Sequence, residues 1–199
     1  WNRFVTDQTI DFMRNEMAPL REITPDVPVT TNLMGAYPGV NYRALAKHLD
    51  VVAWDNYPMW HDTDTPDWKR AVQVSFLHDL NRSLKAGRPF MLMESTPSNT
   101  NWAPVTKLKR PGMHRLSSLQ AVAHGSDTVQ YFQWRKSRGS CEKFHGAVVD
   151  HCGHENTRVF RDVTAVGEAL AKLDDAVGTA TPVEVALIYD WENRWAIDD

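Results

Sequence analysis

Short apolar runs alternate with amphipathic stretches along most of the chain. Four runs rich in apolar, β-branched or aromatic residues are typical of strands, at residues 27–34, 51–57, 90–95 and 128–134. The run at 90–95 reads Phe-Met-Leu-Met-Glu-Ser, apolar at every position before its glutamate. Such a run is typical of a strand covered on both faces. The pattern therefore predicts a buried sheet.

Helical patterns separate these strands. Pro66 suits the first turn of one helix, and Gly87 lies just past its end. Successive strands begin 24, 39 and 38 residues apart, which is ample for helical crossovers between parallel strands. We therefore expect an α/β fold with a parallel sheet. The predicted helices cover residues 6–20, 41–49, 66–85, 113–124 and 161–176.

Two architectures fit four parallel strands, an open doubly wound sheet or part of an eight-stranded barrel. No glycine-rich phosphate loop follows any strand, which weakens the nucleotide-binding version of the open sheet. Polar or aromatic residues instead follow every strand, as in barrel enzymes, which build their sites at the carboxyl ends of strands. These residues are Asn32, the run 55–57, Glu94 and the run 133–135. A complete barrel needs eight such units.

Composition narrows the class of protein. The chain has 199 residues, a formal net charge of -3 and a sequence pI of about 6.2, which argues against a nucleic-acid partner. No apolar run approaches the roughly 20 residues needed to cross a bilayer. Two cysteines are too few for a disulfide framework, so we expect a reducing, cytoplasmic compartment. The chain starts at Trp1 rather than a methionine, which indicates a piece of a longer protein.

Glu94 is the first candidate for chemistry, because a carboxylate against an apolar strand end is costly to bury without partners. It could act as a nucleophile or general acid/base, or form a structural ion pair. The Tyr57 hydroxyl could hold a carboxylate ionised by hydrogen bonding, or be an ordinary rim residue. Trp60 and Trp102, in loops after strands, could stack on sugar rings or pack under their own loops.

A charged loop follows the last predicted strand. Glu142 and His145 are three residues apart there and could bind two hydroxyls of one sugar, the alternative being a solvated loop. Zinc is a competing interpretation, because cysteines and histidines crowd this part of the chain. The spacing contains no C-x-x-C pair and no H-E-x-x-H helix, so it is weak evidence and we predict no metal or cofactor. The crowded residues are Cys141, His145, His151, Cys152 and His154.

Several motifs together resemble the β-galactosidases of glycoside hydrolase family 42, in order and over essentially the whole chain. They are the runs 55–58 (DNYP), 93–98 (MESTPS) with Trp102, 133–135 (QWR) and 142–151 (EKFHGAVVDH). The resemblance implies a retaining hydrolase on a (β/α)₈ barrel. It also implies that Glu94 is the nucleophile at the end of strand seven and that Tyr57 ends strand six. Trp102, Glu142 and His145 would line the galactose subsite.

The same resemblance implies a division of the chain. Residues 1–178 would be the C-terminal half of the TIM (β/α)₈ barrel, strands 5–8. Residues 179–199 would be a linker and the first strand, at 183–189, of the following α/β domain, which mediates trimer formation in the family. The parent would then be a homotrimer acting on galactosides, without nucleic-acid or membrane partners.

The resemblance also implies that one catalytic group lies elsewhere. The general acid/base of the family is a glutamate after an asparagine at the end of strand four. The Asn15-Glu16 pair lies inside the first predicted helix and does not fit that role. We therefore expect the segment alone to be inactive. A non-catalytic sugar-binding or assembly module of the same fold is the alternative.

Overall fold

A four-stranded parallel sheet, in the order β1-β2-β3-β4, forms the centre of the molecule. The structure is a computed structural model that describes residues 1–60, 62 and 64–198. The strands are β1 (Asn32–Leu33), β2 (Ala53–Asp55), β3 (Phe90–Glu94) and β4 (Ser126–Val129). The predicted α/β class with a parallel sheet is confirmed.

Six α-helices accompany the sheet in the described part of the chain. Side-chain caps begin two of them, since the oxygens of Asn41 and Thr157 accept from the backbone N–H groups of Ala44 and Phe160. No helix in this part of the chain is long and apolar enough to cross a membrane. The helices are α1 (Asn2–Ile23), α2 (Tyr42–Leu45), α3 (Asp67–Ser83), α4 (Met113–Ala123), α5 (Arg158–Leu170) and α6 (Trp191–Asp198).

The first helix begins earlier than predicted. Thr6 was expected to cap it, but α1 starts at Asn2 and Thr6 lies one turn inside. Its hydroxyl donates to the Asn2 carbonyl at 2.9 Å and accepts from the Asn41 N–H at 3.0 Å. A threonine that looks like a cap therefore ties α1 to the start of α2.

The predicted strand at residues 183–189 does not form within this chain. The segment has no regular secondary structure, and the sheet formed by the described residues does not include it. Val185 and Ile188 are 82% and 98% exposed. Its apolar pattern suits a strand, but the pattern cannot supply a neighbouring strand to pair with. The predicted domain boundary after residue 178 stays a prediction.

Helix α6 follows this exposed segment and returns to the main core. Trp191 is 2% exposed and packs beside Tyr42, with ring centroids 5.8 Å apart. The indole N–H groups of Trp191 and Trp195 donate to the carbonyls of Tyr37 and Pro38 at 2.9 and 2.6 Å. The α6 tryptophans therefore belong to the same apolar core as the helices near the start of the chain.

His78 is a polar residue buried in that core. Its ring stacks on Phe90 at 5.4 Å and meets the edge of Trp54 at 5.0 Å between centroids. Neither ring nitrogen has a hydrogen-bond partner among the described residues. Burial, reinforced by the nearby His124, lowers the pKa of His78 from 6.5 to about 3. The imidazole is therefore neutral in the folded protein across the whole range in which an unfolded histidine takes up a proton.

We expect His78 to make the fold acid-sensitive. Below pH 6.5 the unfolded chain binds a proton at His78 that the folded protein binds only near pH 3. The free energy of unfolding should therefore fall by about 1.4 kcal/mol for each pH unit below that point, on account of this residue. His78→Phe should remove this part of the slope, measured by urea denaturation between pH 7.5 and 5. The exposed His154, changed to Gln, is the control and should leave the slope as it is. Equal slopes for His78→Phe and the wild type would contradict the assignment.

Candidate active site

One extra residue near the end of β3 sets the direction of the Glu94 side chain. In the pairing of β2 with β3, Trp54 is opposite Leu92, but the next pair is Asp55 opposite Glu94. Met93 is therefore an inserted residue, as in a β-bulge, and a bulge turns the following side chain to the other face of the sheet. Trp54 packs against the helix side of the sheet. Asp55 and Glu94 consequently share the opposite face.

Donors from two neighbouring strand ends hold the Glu94 carboxylate. The Tyr57 hydroxyl, just beyond β2, donates to Oε2 at 2.7 Å. The Nδ2 of Asn32, in β1, donates to Oε1 at 3.4 Å. Burial and the hydrogen bond to Glu94 raise the pKa of Tyr57 well above its usual value of 10. Tyr57 therefore stays protonated and remains a donor, so Glu94 is oriented at both oxygens.

Asp55 is a second carboxyl group in the same network. Its Oδ2 accepts from the same Asn32 Nδ2 at 2.6 Å. Burial raises the pKa of Asp55 to about 6, the Asn32 hydrogen bond opposes that rise, and the negative charge of Glu94 adds to it. Asn32 thus bridges two carboxyl groups on neighbouring strands.

Aromatic rings surround Tyr57. Trp102 meets the Tyr57 ring edge-on at 6.0 Å, and His145 does so at 5.8 Å on another side. The Trp102 side chain is 59% exposed, so its indole is available to a ligand beside the carboxylate. Trp60, the other candidate for stacking, is 3% exposed and donates to Ser117 Oγ at 3.3 Å. Trp60 is a core residue, so the interpretation that it stacks on a sugar ring is wrong.

Glu142 and His145 meet through Asn101, a residue that the sequence reasoning missed. Asn101 Nδ2 donates to Glu142 Oε2 at 3.1 Å and to the Cys141 carbonyl at 2.8 Å. Its Oδ1 therefore faces His145 Nδ1, 3.1 Å away, and accepts from it. Burial lowers the pKa of His145, although the charge of Glu142 opposes the shift. The Glu142 carboxylate lies 3.7 Å from the His145 imidazole. The imidazole is neutral at any pH above its lowered pKa.

Two loops hold this pair beside Glu94. Gly146 N donates to the Asn99 carbonyl at 2.7 Å, and a Cβ at position 146 would lie 2.0 Å from Ser98 Oγ. Only glycine therefore allows the loop at 140–146 to approach the loop after β3 so closely. Lys109, almost fully buried, donates to the Thr96 carbonyl at 2.5 Å, and burial lowers the pKa of its ammonium group to about 7. Both contacts fix the loop that carries Asn101 and Trp102.

A cavity of about 470 Å³ opens beside this network. Its volume lies within the range of small-molecule sites. The lining combines apolar surface with polar groups and includes Trp54, Asp55, Tyr57, Arg70, Leu77 and Trp102. Glu94, Glu142 and His145 do not line this cavity, which adjoins the network at Asp55, Tyr57 and Trp102.

The residues weighed as zinc ligands do not converge. Cys141 and Cys152 are free and exposed, and Cys152 Sγ lies 4.0 Å from His154 Nδ1. Within residues 1–60, 62 and 64–198, no three Cys, His, Asp or Glu side chains are grouped in a way that could hold a metal ion. His145 lies with Asn101 and Glu142 instead.

Comparison with known proteins identifies the family to which this fold and this group of side chains belong. The family model described as β-galactosidase, glycoside hydrolase family 42, matches residues 1–173. The chain belongs to this family. The match includes the five residues predicted for the site, and the structure brings them together: Tyr57, Glu94, Trp102, Glu142 and His145.

Individual relatives are similar over the full length of this chain. It is 66% identical to the β-galactosidase Pbg of Clostridium perfringens and 62% identical to BglY of Alicyclobacillus acidocaldarius, covering 100% of this chain and 29% of each relative. A solved catalytic mutant of a family 42 β-galactosidase from G. stearothermophilus is 56% identical, with a TM-score of 0.96 over 100% of this chain and 30% of that one. The chain thus spans about three tenths of the length of the relatives it matches.

The bridge through Asn101 predicts the titration of His145. Asn101→Asp replaces the amide beside Glu142 with a second carboxylate, so we expect the pKa of His145 to rise, because added negative charge favours the imidazolium form. A chemical-shift titration of the His145 ring measures this shift. Asn15→Asp, on the exposed side of α1, is the control and should leave the titration unchanged. An unchanged His145 titration in Asn101→Asp would contradict the contact.

Proposed function

We propose that this chain supplies the nucleophile and part of the galactose subsite of a retaining β-galactosidase. The observation that carries the proposal is Glu94, held at 2.7 Å by Tyr57 at the carboxyl end of a parallel strand. Two relatives that cover the whole chain are named β-galactosidases. The substrate would be a terminal, non-reducing β-D-galactose residue.

The geometry suits a double displacement. Glu94 would attack the anomeric carbon and form a covalent glycosyl-enzyme, which water then hydrolyses. Tyr57 holds one carboxylate oxygen in place as a neutral donor, which orients the carboxylate without adding a charge beside it. Glu142 and His145 would bind hydroxyls of the ring, and the exposed indole of Trp102 would pack on its apolar face.

The second catalytic carboxyl group is assigned to a part of the protein outside this chain. A retaining enzyme needs an acid about 5 Å from the nucleophile that reaches the glycosidic oxygen. Asp55 accepts a hydrogen bond from Asn32, and Glu142 accepts one from Asn101, so neither is assigned the role of the acid. The Asn15-Glu16 pair lies within α1, as predicted.

We therefore propose that β1 to β4 are strands 5–8 of an eight-stranded barrel whose other half lies in the rest of the protein. The share of about 29–30% of each relative that the chain covers agrees with this arrangement. The trimeric parent and its cytoplasmic location stay predictions from the resemblance and the cysteine count.

The nucleophile assignment predicts the effect of Glu94→Gln in the full-length protein. Hydrolysis of nitrophenyl β-galactoside should fall by at least about 10³-fold, because the amide cannot form the glycosyl-enzyme. Glu16→Gln is the matched control, since Glu16 is an exposed glutamate on α1, and it should keep full activity. Galactose binding without hydrolysis by the wild-type full-length protein would favour the alternative of a non-catalytic sugar-binding module.

The missing acid predicts that residues 1–199 alone hydrolyse no measurable nitrophenyl β-galactoside. Purified segment and full-length protein are compared at equal molar concentration. Turnover by the segment that is abolished by Glu94→Gln would show that a carboxyl group within this chain serves as the acid.

A further inference from the structure

The amide of Asn32 lies between two carboxyl groups. Its Nδ2 is 2.6 Å from Asp55 Oδ2 and 3.4 Å from Glu94 Oε1. One amide nitrogen carries two hydrogens and can serve both acceptors at once. The hydrogen bond to Asp55 is the shorter of the two and therefore the stronger, so Asp55 does more than Glu94 to fix the direction of the amide.

The direction of this amide matters for Glu94. An asparagine side chain can turn over and exchange its nitrogen and oxygen, and the surrounding hydrogen bonds decide which way it points. With Nδ2 toward the carboxylates, Asn32 donates to Glu94. With Oδ1 toward them, two acceptors would face each other and the donor to Oε1 would be lost. An ionised Asp55 accepts only, and therefore selects the first arrangement.

One oxygen of Asp55 carries a cost for stability. Its second oxygen, Oδ1, is buried and has no hydrogen-bond partner among the described residues. A buried acceptor without a partner costs free energy, about 1–3 kcal/mol in typical proteins. A small apolar side chain would avoid that cost. The position therefore calls for an explanation in terms of function.

We propose that Asp55 is a positioning residue, which holds the Asn32 amide so that it donates to the nucleophile Glu94. The inference rests on the proposed function, because it assigns Asp55 a role in the reaction of Glu94. Asp55 acts through Asn32 and needs no contact with the substrate.

Protonation of Asp55 should release this arrangement. A protonated carboxyl group donates, and the Asn32 Oδ1 is the acceptor within reach once the amide turns over. Burial gives Asp55 a pKa of about 6, so this change falls within an accessible pH range. The titratable groups that act on Asp55 are Glu94 of β3, Tyr57 after β2 and Tyr42 of α2.

A double-mutant cycle in the full-length enzyme tests the proposal. Asp55→Ala and Asn32→Ala should each lower kcat on nitrophenyl β-galactoside about tenfold with little change in KM, as expected for loss of one hydrogen bond to the nucleophile. The double variant should be no slower than Asn32→Ala, because Asp55 acts through Asn32. Additive losses, or an unchanged kcat in Asp55→Ala, would overturn it. Asp50→Ala is the control, since that carboxylate pairs with Arg21 ahead of β2 and should affect only stability.

The variant Asp55→Asn distinguishes a positioning role of Asp55 from a purely structural role. Its amide oxygen can still accept from Asn32, so kcat should stay within about threefold of the wild type. Its side chain cannot take up a proton, so the acid limb of the kcat profile should move to lower pH. An unmoved limb, or a loss as large as that of Asp55→Ala, would contradict the proposal. This variant also decides the matter if Asp55→Ala does not fold. The activity of the wild type and of Glu94→Gln tests the proposed function separately.

Discussion

The parallel pairing of β2 with β3 is the constraint on which the rest of the site depends. It brings Asp55 and Glu94 side by side, and the inserted Met93 turns Glu94 toward the face that Asp55 already occupies. Without that insertion, the alternation that buries Phe90 and Leu92 would carry Glu94 to their side of the sheet. The hydrogen bonds from Tyr57 and Asn32 can form only once this register is set.

The carboxylates of the site are held by neutral hydrogen-bond donors. Tyr57 and Asn32 donate to Glu94, and Asn101 donates to Glu142 while its oxygen accepts from His145. A neutral donor satisfies a carboxylate without the strong attraction that a buried cation would exert. The carboxylates are therefore held in position while their oxygens stay available to a ligand rich in hydroxyls.

Much of the fold could be predicted because apolar runs and helical periods alternate regularly. Glu94 and Tyr57 could be singled out because Glu94 ends one strand and Tyr57 follows the end of another, whereas Trp102, Glu142 and His145 were assigned by the resemblance. Asn101 could not be found, since its partners lie 40 and 41 residues away and nothing in its polar loop marks it. The bulge at Met93 is equally hidden, because a shift of one residue leaves no trace in an apolar run. Residues 183–189 form no strand within this chain, because a suitable apolar pattern still needs a neighbouring strand to pair with.

The return of helix α6 affects how the protein folds during synthesis. The Trp191 indole reaches a carbonyl 154 residues earlier in the chain, and Trp191 packs on Tyr42. At ordinary rates of translation these two parts leave the ribosome on the order of 10 s apart. For that interval the apolar surface near Tyr42 lacks its cover. Such delayed closure of a long-range contact slows folding and leaves a period in which a chaperone could bind the nascent chain.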